Sequence, residues 1–414
     1  MRRKRRRKLK IKNIIIAVVI LIIILIGAFI GINKIFNNKP SDNNKPNTSQ
    51  ENNTKEQTYS LSMITAGDNL IHSSIYKDAS TGTNSYDFTP MYELIKPIVS
   101  KYDVAYYNQE TILGGKELGV SDYPAFNSPQ EVGEAMIDAG FNLVSLATNH
   151  TMDSGEDAVL KSREYWNSKD DVLAVGSYSS FDEKDEVNIV TKNNITYTML
   201  NYTYGTNGIN VPNGKEYLVN VWPTDLTIND VNSDTEYQNY KKQVKEDIEK
   251  VRDKVDVLIV AMHWGVEYTH EPTEYEKDMA NYLAELGVDI VIGTHPHVIQ
   301  PITWIDDTLV IYSLGNLISA QYQDDNYNKM VGLLTSLEIN KTVKGNETDI
   351  VIDNVDNELI YTYYSNWRNF KVVPFSNSQI ATYLPDYQSV YNTYKDIVLE
   401  YDNTIGIQNC YQCN

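Results

Sequence analysis

Cysteine is nearly absent from this 414-residue chain: there are two, Cys410 and Cys413, both in the CYQC near its end. Thiolate ligands are therefore missing from every other stretch, and one CxxC alone does not make a zinc site. Outside the cytoplasm such a pair forms a local disulfide or stays free; a redox motif is expected at a helix start beside a strand. Positive charge is also scarce. The formal net charge is -19, and nine Lys and Arg fall in residues 1–13, which leaves -28 on the rest. A body this acidic excludes a nucleic-acid partner, which calls for a basic surface. It fits a soluble ectodomain kept apart by self-repulsion.

Residues 14–32, IIIAVVILIIILIGAFIGI, lack charge altogether. They are long enough to cross a bilayer at about 1.5 Å per residue. The basic MRRKRRRKLKIKN before them stays cytoplasmic by the positive-inside rule. A cleavable signal peptide has a shorter apolar core and an A-x-A-like site, and neither is present. The expectation is an uncleaved anchor: a single-pass cell-membrane protein, N-terminus cytoplasmic and C-terminal domain extracellular. Residues 33–58 have almost no apolar content and form a disordered tether. The folded domain is expected at 59–345, with 346–414 an extension packed on it.

Histidine is rare too, and its placement is informative. Of the six, His295 and His297 lie in GTHPHVIQ (Gly293 to Gln300), just past the strand-like VDIVI. Pro296 between them fixes its own backbone angle and biases the residue before it toward extended geometry. The two imidazoles are then presented by a stiff loop, as a metal site needs. His72 closes GDNLIH, His150 lies in LATNHTMDSG and His263 in HWGVEY, each after an apolar strand-like run. Ligands gather at the carboxyl ends of strands in open α/β sheets.

From Tyr59 strand-like and helix-like segments alternate, which argues for an α/β fold with helices covering sheet faces. YSLSMITAG and Val104 to Asn108 read as strands, and PMYELIKPIVS as a helix. A helix at SPQEVGEAMIDAG begins with Ser128 as cap and Pro129 at its first position, and ends before Gly140. Asn142 to Ala147 is a strand and Gly155 to Asn167 a helix. A hairpin turns at Asn193-Asn194. Residues 205–230 show no periodicity and read as a surface insertion. Helices follow at Glu236 to Lys254 and Thr273 to Leu286, strands at IQPITWI, TLVIYSLGN, VGLLTSLEI and, as edge strands, 350–373. A Tyr-rich helix lies in 377–402.

Acidic and amide partners complete the pattern. Asp68 ends the first strand after Gly67, Glu110 follows the second in NQET, and Asn149 precedes His150 after the third. With His263, His295 and His297 they form a mixed nitrogen and oxygen set suited to Mn, Fe or Zn. A carboxylate between two groups of ligands could bridge two ions about 4 Å apart, the spacing used in phosphoester hydrolysis.

At GDNLIH, NQET, TNHTMDSG, HWGVEY, GTHPHVIQP and SLGNLI the chain resembles the CapA-type capsule (poly-γ-glutamate) biosynthesis proteins, over about residues 59–340. The resemblance implies a calcineurin-like metallophosphatase fold, a four-layer sandwich of two mixed sheets flanked by helices. It implies a cell-surface protein in the synthesis or export of an anionic capsule polymer. It also implies one or two divalent ions: Asp68 and His297 on the first, Glu110 bridging, and Asn149, His263 and His295 on the second. His150 would be the proton donor, oriented by Asp153. His72, Trp264, Glu267, Gln300 and Asn316 are the further candidates for substrate contact or ligand support, Trp264 as a wall or core residue in preference to a stacking platform. The broader pattern has a His two residues after the first Asp, where this chain has Leu70, and an Asp where it has Glu110. These departures imply a first ion that is weaker, absent or differently placed. Two readings follow: a metal-dependent hydrolase acting on a phosphoester or polymer bond, and a non-catalytic metal- or polymer-binding part of a synthesis or export complex.

Overall fold

The computed structural model describes residues 56–222, 231–321 and 327–413. The expected anchor at 14–32, the basic tail and nearly all of the tether lie outside the described residues. Among the described residues no helix is long and apolar enough to cross a membrane.

Among the described residues sixteen strands can be followed in chain order. They are β1 (Gln57–Asn69), β2 (Ser80–Gly82), β3 (Ser85–Tyr86), β4 (Val104–Asn108), β5 (Leu143–Ser145), β6 (Leu173–Val175), β7 (Val190–Lys192) and β8 (Ile195–Thr203). Then come β9 (Val257–His263), β10 (Ile290–Thr294), β11 (Ile302–Ile305), β12 (Thr308–Ile311), β13 (Asn316–Ile318), β14 (Val331–Lys344), β15 (Glu347–Ser365) and β16 (Arg368–Pro374). One sheet runs β16-β15-β14-β1-β4-β5-β6, with β13 pairing alongside the end of β1; the other runs β11-β12-β10-β9-β8-β7. Strands β1, β4, β5 and β6 are parallel, as are β8, β9, β10 and β12.

The period of two along each strand builds the layers. Leu61 and Met63 of β1 face the same cluster as Val257, Ile259 and Ala261 of β9, so this core lies between the sheets. Their neighbours Ile64 and Ala66 pack instead with Val132, Ala135 and Met136 of the helix Glu131–Ala139. Leu258, Val260 and Met262 pack with the helices Thr235–Val251 and Glu274–Glu285. The result is a four-layer α/β sandwich of two mixed sheets flanked by helices.

Two glycines mark where backbones close on one another. A Cβ on Gly67 would stand 1.8 Å from the Gly315 carbonyl oxygen, and one on Gly293 1.8 Å from that of Tyr312. Only glycine admits these approaches. The first lets Asp68 N–H donate to Gly315 O (3.0 Å) at the irregular end of β1.

Several local expectations are revised. PMYELIKPIVS forms two short helices, Thr89–Tyr92 and Lys96–Val99, because Pro97 cannot continue the hydrogen-bond ladder of a helix begun before it. The next helix starts at Glu131, with Gln130 at the cap position but no capping bond from its side chain; the Ser128 hydroxyl is spent on Thr111 Oγ1 at 2.8 Å. Its end at Gly140 (φ 109°) is as expected. The hairpin turn holds Asn193 and Asn194 at φ 50° and 60°, and the helix Gly155–Asn167 stands as expected. Residues 347–374, expected outside the main domain, are β15 and β16 of the first sheet; β15 is an inner strand, and only β16 lies at the edge. The Tyr-rich helix Tyr387–Val398 buries Val390, Tyr391, Tyr394 and Val398 against the core between the sheets. Cys410 and Cys413 are joined as a disulfide.

Candidate metal centre

Both sheets direct the carboxyl ends of their parallel strands to one place. Asp68 ends β1, Glu110 follows β4, Asn149 and His150 follow β5, His263 ends β9, and His295 and His297 follow β10. All seven are buried. Three overlapping groups have ligand atoms within 4.8 Å of one another: Asp68 with Glu110 and His297, Glu110 with His263 and His295, and Glu267 with His295 and His297. Glu110 belongs to two of them.

Glu110 is fully buried, and neither carboxylate oxygen has a hydrogen-bond partner. His297 Nε2 stands 3.4 Å from its Oε1 and His263 Nε2 4.0 Å. A carboxylate left so exposed to a low dielectric is costly unless a cation meets it. Burial pushes its carboxyl well above the usual range, and Asp68 adds to the effect against the pull of His297. His295 Nδ1 is likewise buried without a partner. These orphaned atoms fit a divalent cation.

Asp68, His263 and His297 are held from behind. Asp68 accepts from Asn108 Nδ2 (2.8 Å) and from the His295 backbone N–H (3.2 Å). Asn149 Oδ1 lies 2.9 Å from His263 Nε2, while His263 Nδ1 meets Thr294 Oγ1 at 3.0 Å. Atoms bound about 2.1 Å from one cation lie roughly 3 Å apart, so the Asn149–His263 pair has the spacing of shared ligands. His297 Nδ1 sits 3.0 Å from Asn316 Oδ1 and 3.3 Å from Asp68 Oδ2, which directs Nε2 to Glu110. Burial would lower the pKa of His297, but Glu110 and Asp68 prevail and raise it to about 9. Burial, with the neighbouring histidines, pushes His263 and His295 well below the ordinary imidazole value. Neutral imidazoles are the form that binds metal.

The loop carrying the two histidines differs from expectation. His295 has φ 96° and His297 φ 59°, so the residue before Pro296 is in the positive-φ region, away from the extended region that proline favours. Non-glycine residues held there mark local strain. The His295 N–H to Asp68 and the Pro296 O to Tyr268 N–H (2.7 Å) are the bonds that fix it.

His150 Nδ1 lies 2.7 Å from Asp153 Oδ2, so Nδ1 carries the proton and Nε2 is the ring's other functional atom. The His150 ring meets Phe126 edge-on at 4.8 Å.

The further candidates separate. Glu267 is exposed and reaches His295 and His297. Asn316 is a support of His297. His72 is in none of the ligand groups: its Nδ1 accepts from Ala320 N–H at 3.2 Å, and its ring abuts Phe126 at 5.4 Å. Trp264 is fully buried, donating Nε1–H to Tyr312 O (2.9 Å), and is core with no surface for a substrate. Gln300, expected at the pocket, is also fully buried and ties down the Thr269 carbonyl at 3.0 Å.

Four contributors escaped the sequence reading. Asn108 sits inside the NQET motif beside Glu110 and could have been found there. Tyr204, whose ring lies 4.5 Å from His295, follows the end of β8 and obeys the same strand-end rule. Tyr268, within HWGVEY, stacks near His297 at 6.0 Å. Asn207 gave no signal: it lies in the stretch read as a surface insertion, yet its Oδ1 accepts from Asn149 Nδ2 (3.2 Å), and its Nδ2 is 3.2 Å from His150 Nδ1.

A two-sheet α/β sandwich with a buried His, Glu and Asp cluster suited to a divalent cation is thus the class of protein. The chain belongs to the bacterial capsule synthesis protein family PGA_cap, which matches residues 62–321. It is 28% identical over 193 residues to the PGA biosynthesis protein CapA of Bacillus subtilis (strain 168), 46% of either chain. It is 27% identical over 198 residues to the capsule biosynthesis protein CapA of Bacillus anthracis, 47% of this chain and 44% of that one. The match spans about half the length of these relatives. Among solved structures, a candidate 5'-nucleotidase from Staphylococcus aureus in complex with alpha-ketoglutarate aligns at 14% identity and TM-score 0.45, covering 81% of this chain and 58% of that chain.

Proposed function

We propose that the protein is a membrane-anchored, cell-surface member of its family that acts in the synthesis or export of an anionic capsule polymer. Its cleft would work as a metal-dependent hydrolase of the metallophosphatase type. The observation that carries this reading is Glu110, buried without a hydrogen bond between Asp68 and His297 on one side and His263 and His295 on the other. Asp68, Glu110 and His297 would hold one cation, and Glu110, Asn149, His263 and His295 a second. Bound there, a divalent ion (Mn, Fe or Zn) supplies Lewis acidity toward a phosphoryl or carbonyl oxygen and makes water more acidic. His150, its Nδ1–H held by Asp153, would act from the imidazolium form, giving the Nε2 proton to the leaving oxygen and reverting to the neutral ring. Asn108 and Asn316 keep the donors aimed.

A non-catalytic reading keeps one observation on its side. Leu70 stands where the broader pattern has a ligand, and His72 does not make up for it, because it joins none of the ligand groups among the described residues. The first cation position would then be the weaker, and the cleft would bind polymer or its counterions within an export complex.

The test is metal analysis of the purified chain with turnover of p-nitrophenyl phosphate esters under added Mn or Zn. The hydrolase reading expects at least one ion per chain and a rate that His150→Ala cuts by roughly 100-fold or more. Wild-type protein without turnover, or turnover indifferent to His150→Ala, would move the assignment to the binding reading.

A further inference from the structure

Beside the cluster stands a wall with a cation on it. Tyr268 is about half exposed, its ring stacked 6.0 Å from His297 on one side, while Lys329 Nζ sits 5.2 Å from the ring centroid. Polar contacts lock this wall to the ligands. Gln321 Nε2 donates to Tyr268 Oη (3.0 Å), and Gln321 Oε1 accepts from Asn316 Nδ2 (3.0 Å). Asn316 also donates to the Lys329 carbonyl (2.9 Å) and bonds His297 (3.0 Å). Tyr268 itself is pinned at φ 64° by its N–H bond to Pro296 O. The lysine is therefore placed with respect to His297 by the same amide that orients that ligand.

Its charge is the exception locally. Outside the first 13 residues the chain carries -28, and Asp68, Glu110 and Glu267 all lie within the cluster. Among the described residues no ion pair to Lys329 is formed, and the aromatic face is its only side-chain partner. A cation seated on an aromatic face next to an acidic cluster and, among the described residues, without a carboxylate partner can receive anionic oxygens.

We propose that Lys329, seated on Tyr268, forms an anion subsite that binds a carboxylate or phosphate of the substrate flanking the group held at the cluster. This rests on the reading that the cleft takes an anionic polymer, and it names the residue that would recognise its repeating charge. Tyr268 supplies the platform, and the Asn316–Gln321 link sets the distance between subsite and ligands.

The experiment measures binding, so turnover is not required. Full-length protein in detergent is titrated against fluorescein-labelled γ-linked glutamate oligomer, its uncharged γ-linked glutamine counterpart and a glycerol phosphate oligomer, each with and without added Mn. Lys329→Met is expected to weaken one or both anionic oligomers about fivefold and to reduce the salt dependence of binding. It should leave the neutral oligomer and the metal content unchanged, and Lys329→Arg should restore affinity. Loss confined to the glutamate oligomer identifies a carboxylate subsite, and loss confined to the glycerol phosphate oligomer a phosphate subsite. Equal affinity in Lys329→Met and wild type, equal loss for the neutral oligomer, or no binding of either anion by wild type overturns the inference. Lys329-dependent binding without turnover leaves the subsite standing and removes the hydrolase reading. Turnover without a Lys329 effect does the reverse.

Discussion

His150 and Asp153 are joined through Nδ1 and Oδ2 at 2.7 Å, and the same oxygen of Asp153 accepts the Phe126 N–H at 2.8 Å. The carboxylate is thus fixed from two sides and decides which nitrogen of the ring carries the proton. On the hydrolase reading, Asp153→Asn lowers kcat about 10- to 100-fold with little change in KM. Steady-state kinetics on a p-nitrophenyl phosphate ester check it, and a change confined to KM would contradict the positioning role.

Glu110 has opposite effects on the protein with and without metal. Without a cation it is a buried carboxylate lacking any hydrogen bond. Glu110→Gln should raise Tm in chelator by roughly 2–4 °C, and should abolish most of the further rise that added Mn or Zn gives the wild type. Thermal scans in EDTA and in metal read both effects. A variant destabilised in EDTA yet still responsive to metal is the outcome against this reading.

Glu276, the third residue of its helix, faces Thr273 in a reciprocal cap and is fully buried. Burial pushes its carboxyl up to about 7, against hydrogen bonds from Thr273 and Gln300 that pull it down. In the unfolded chain it returns to 4.5. Between those values the unfolded state loses the proton while the folded state keeps it. Stability therefore declines as pH climbs through this window and is level on either side. The contribution is about 3 kcal/mol. Urea unfolding at several pH values should show a smaller decline in Glu276→Gln than in wild type; superimposable profiles would disprove the assignment.

Gly293→Ala places a methyl group within 1.8 Å of the Tyr312 carbonyl oxygen, a backbone atom that cannot turn aside. The cost is about 3 kcal/mol or more. Since β10 leads directly into His295, metal content should fall together with the urea midpoint. Normal metal binding at wild-type stability would show that the strand shifts freely.

Much of this site was legible because its chemistry recurs at strand ends. Asp68, Glu110, Asn149, His263, His295 and His297 each follow an apolar run, and the α/β order with its sequential parallel strands brings those ends together. What escaped depended on tertiary contacts that leave no local pattern. Asn207 lies in a loop without periodicity and is identified only by its bond to Asn149 and its contact with His150. Ser128 looked like a helix cap, but its hydroxyl found a partner in Thr111 and the helix began later. Gln300 lies close to ligands in sequence, yet its side chain turns into the interior, while Trp264 is the core residue it was expected to be. Position in a motif indicates proximity along the chain; it does not give the direction of a side chain.

The long ladder between β1 and β14 bears on how the protein can be handled. Ten consecutive residues of β1, Gln57 to Ala66, pair with β14 from Val343 back to Leu334, all beyond the family-matched stretch that ends at 321. A recombinant fragment trimmed to that stretch, which begins at 62, would bare the unpaired amides and carbonyls of Ser62 to Ala66 along the central strand of its sheet. Such a fragment would stick to its own copies through that edge, and its insolubility would say nothing about the chemistry of the cleft.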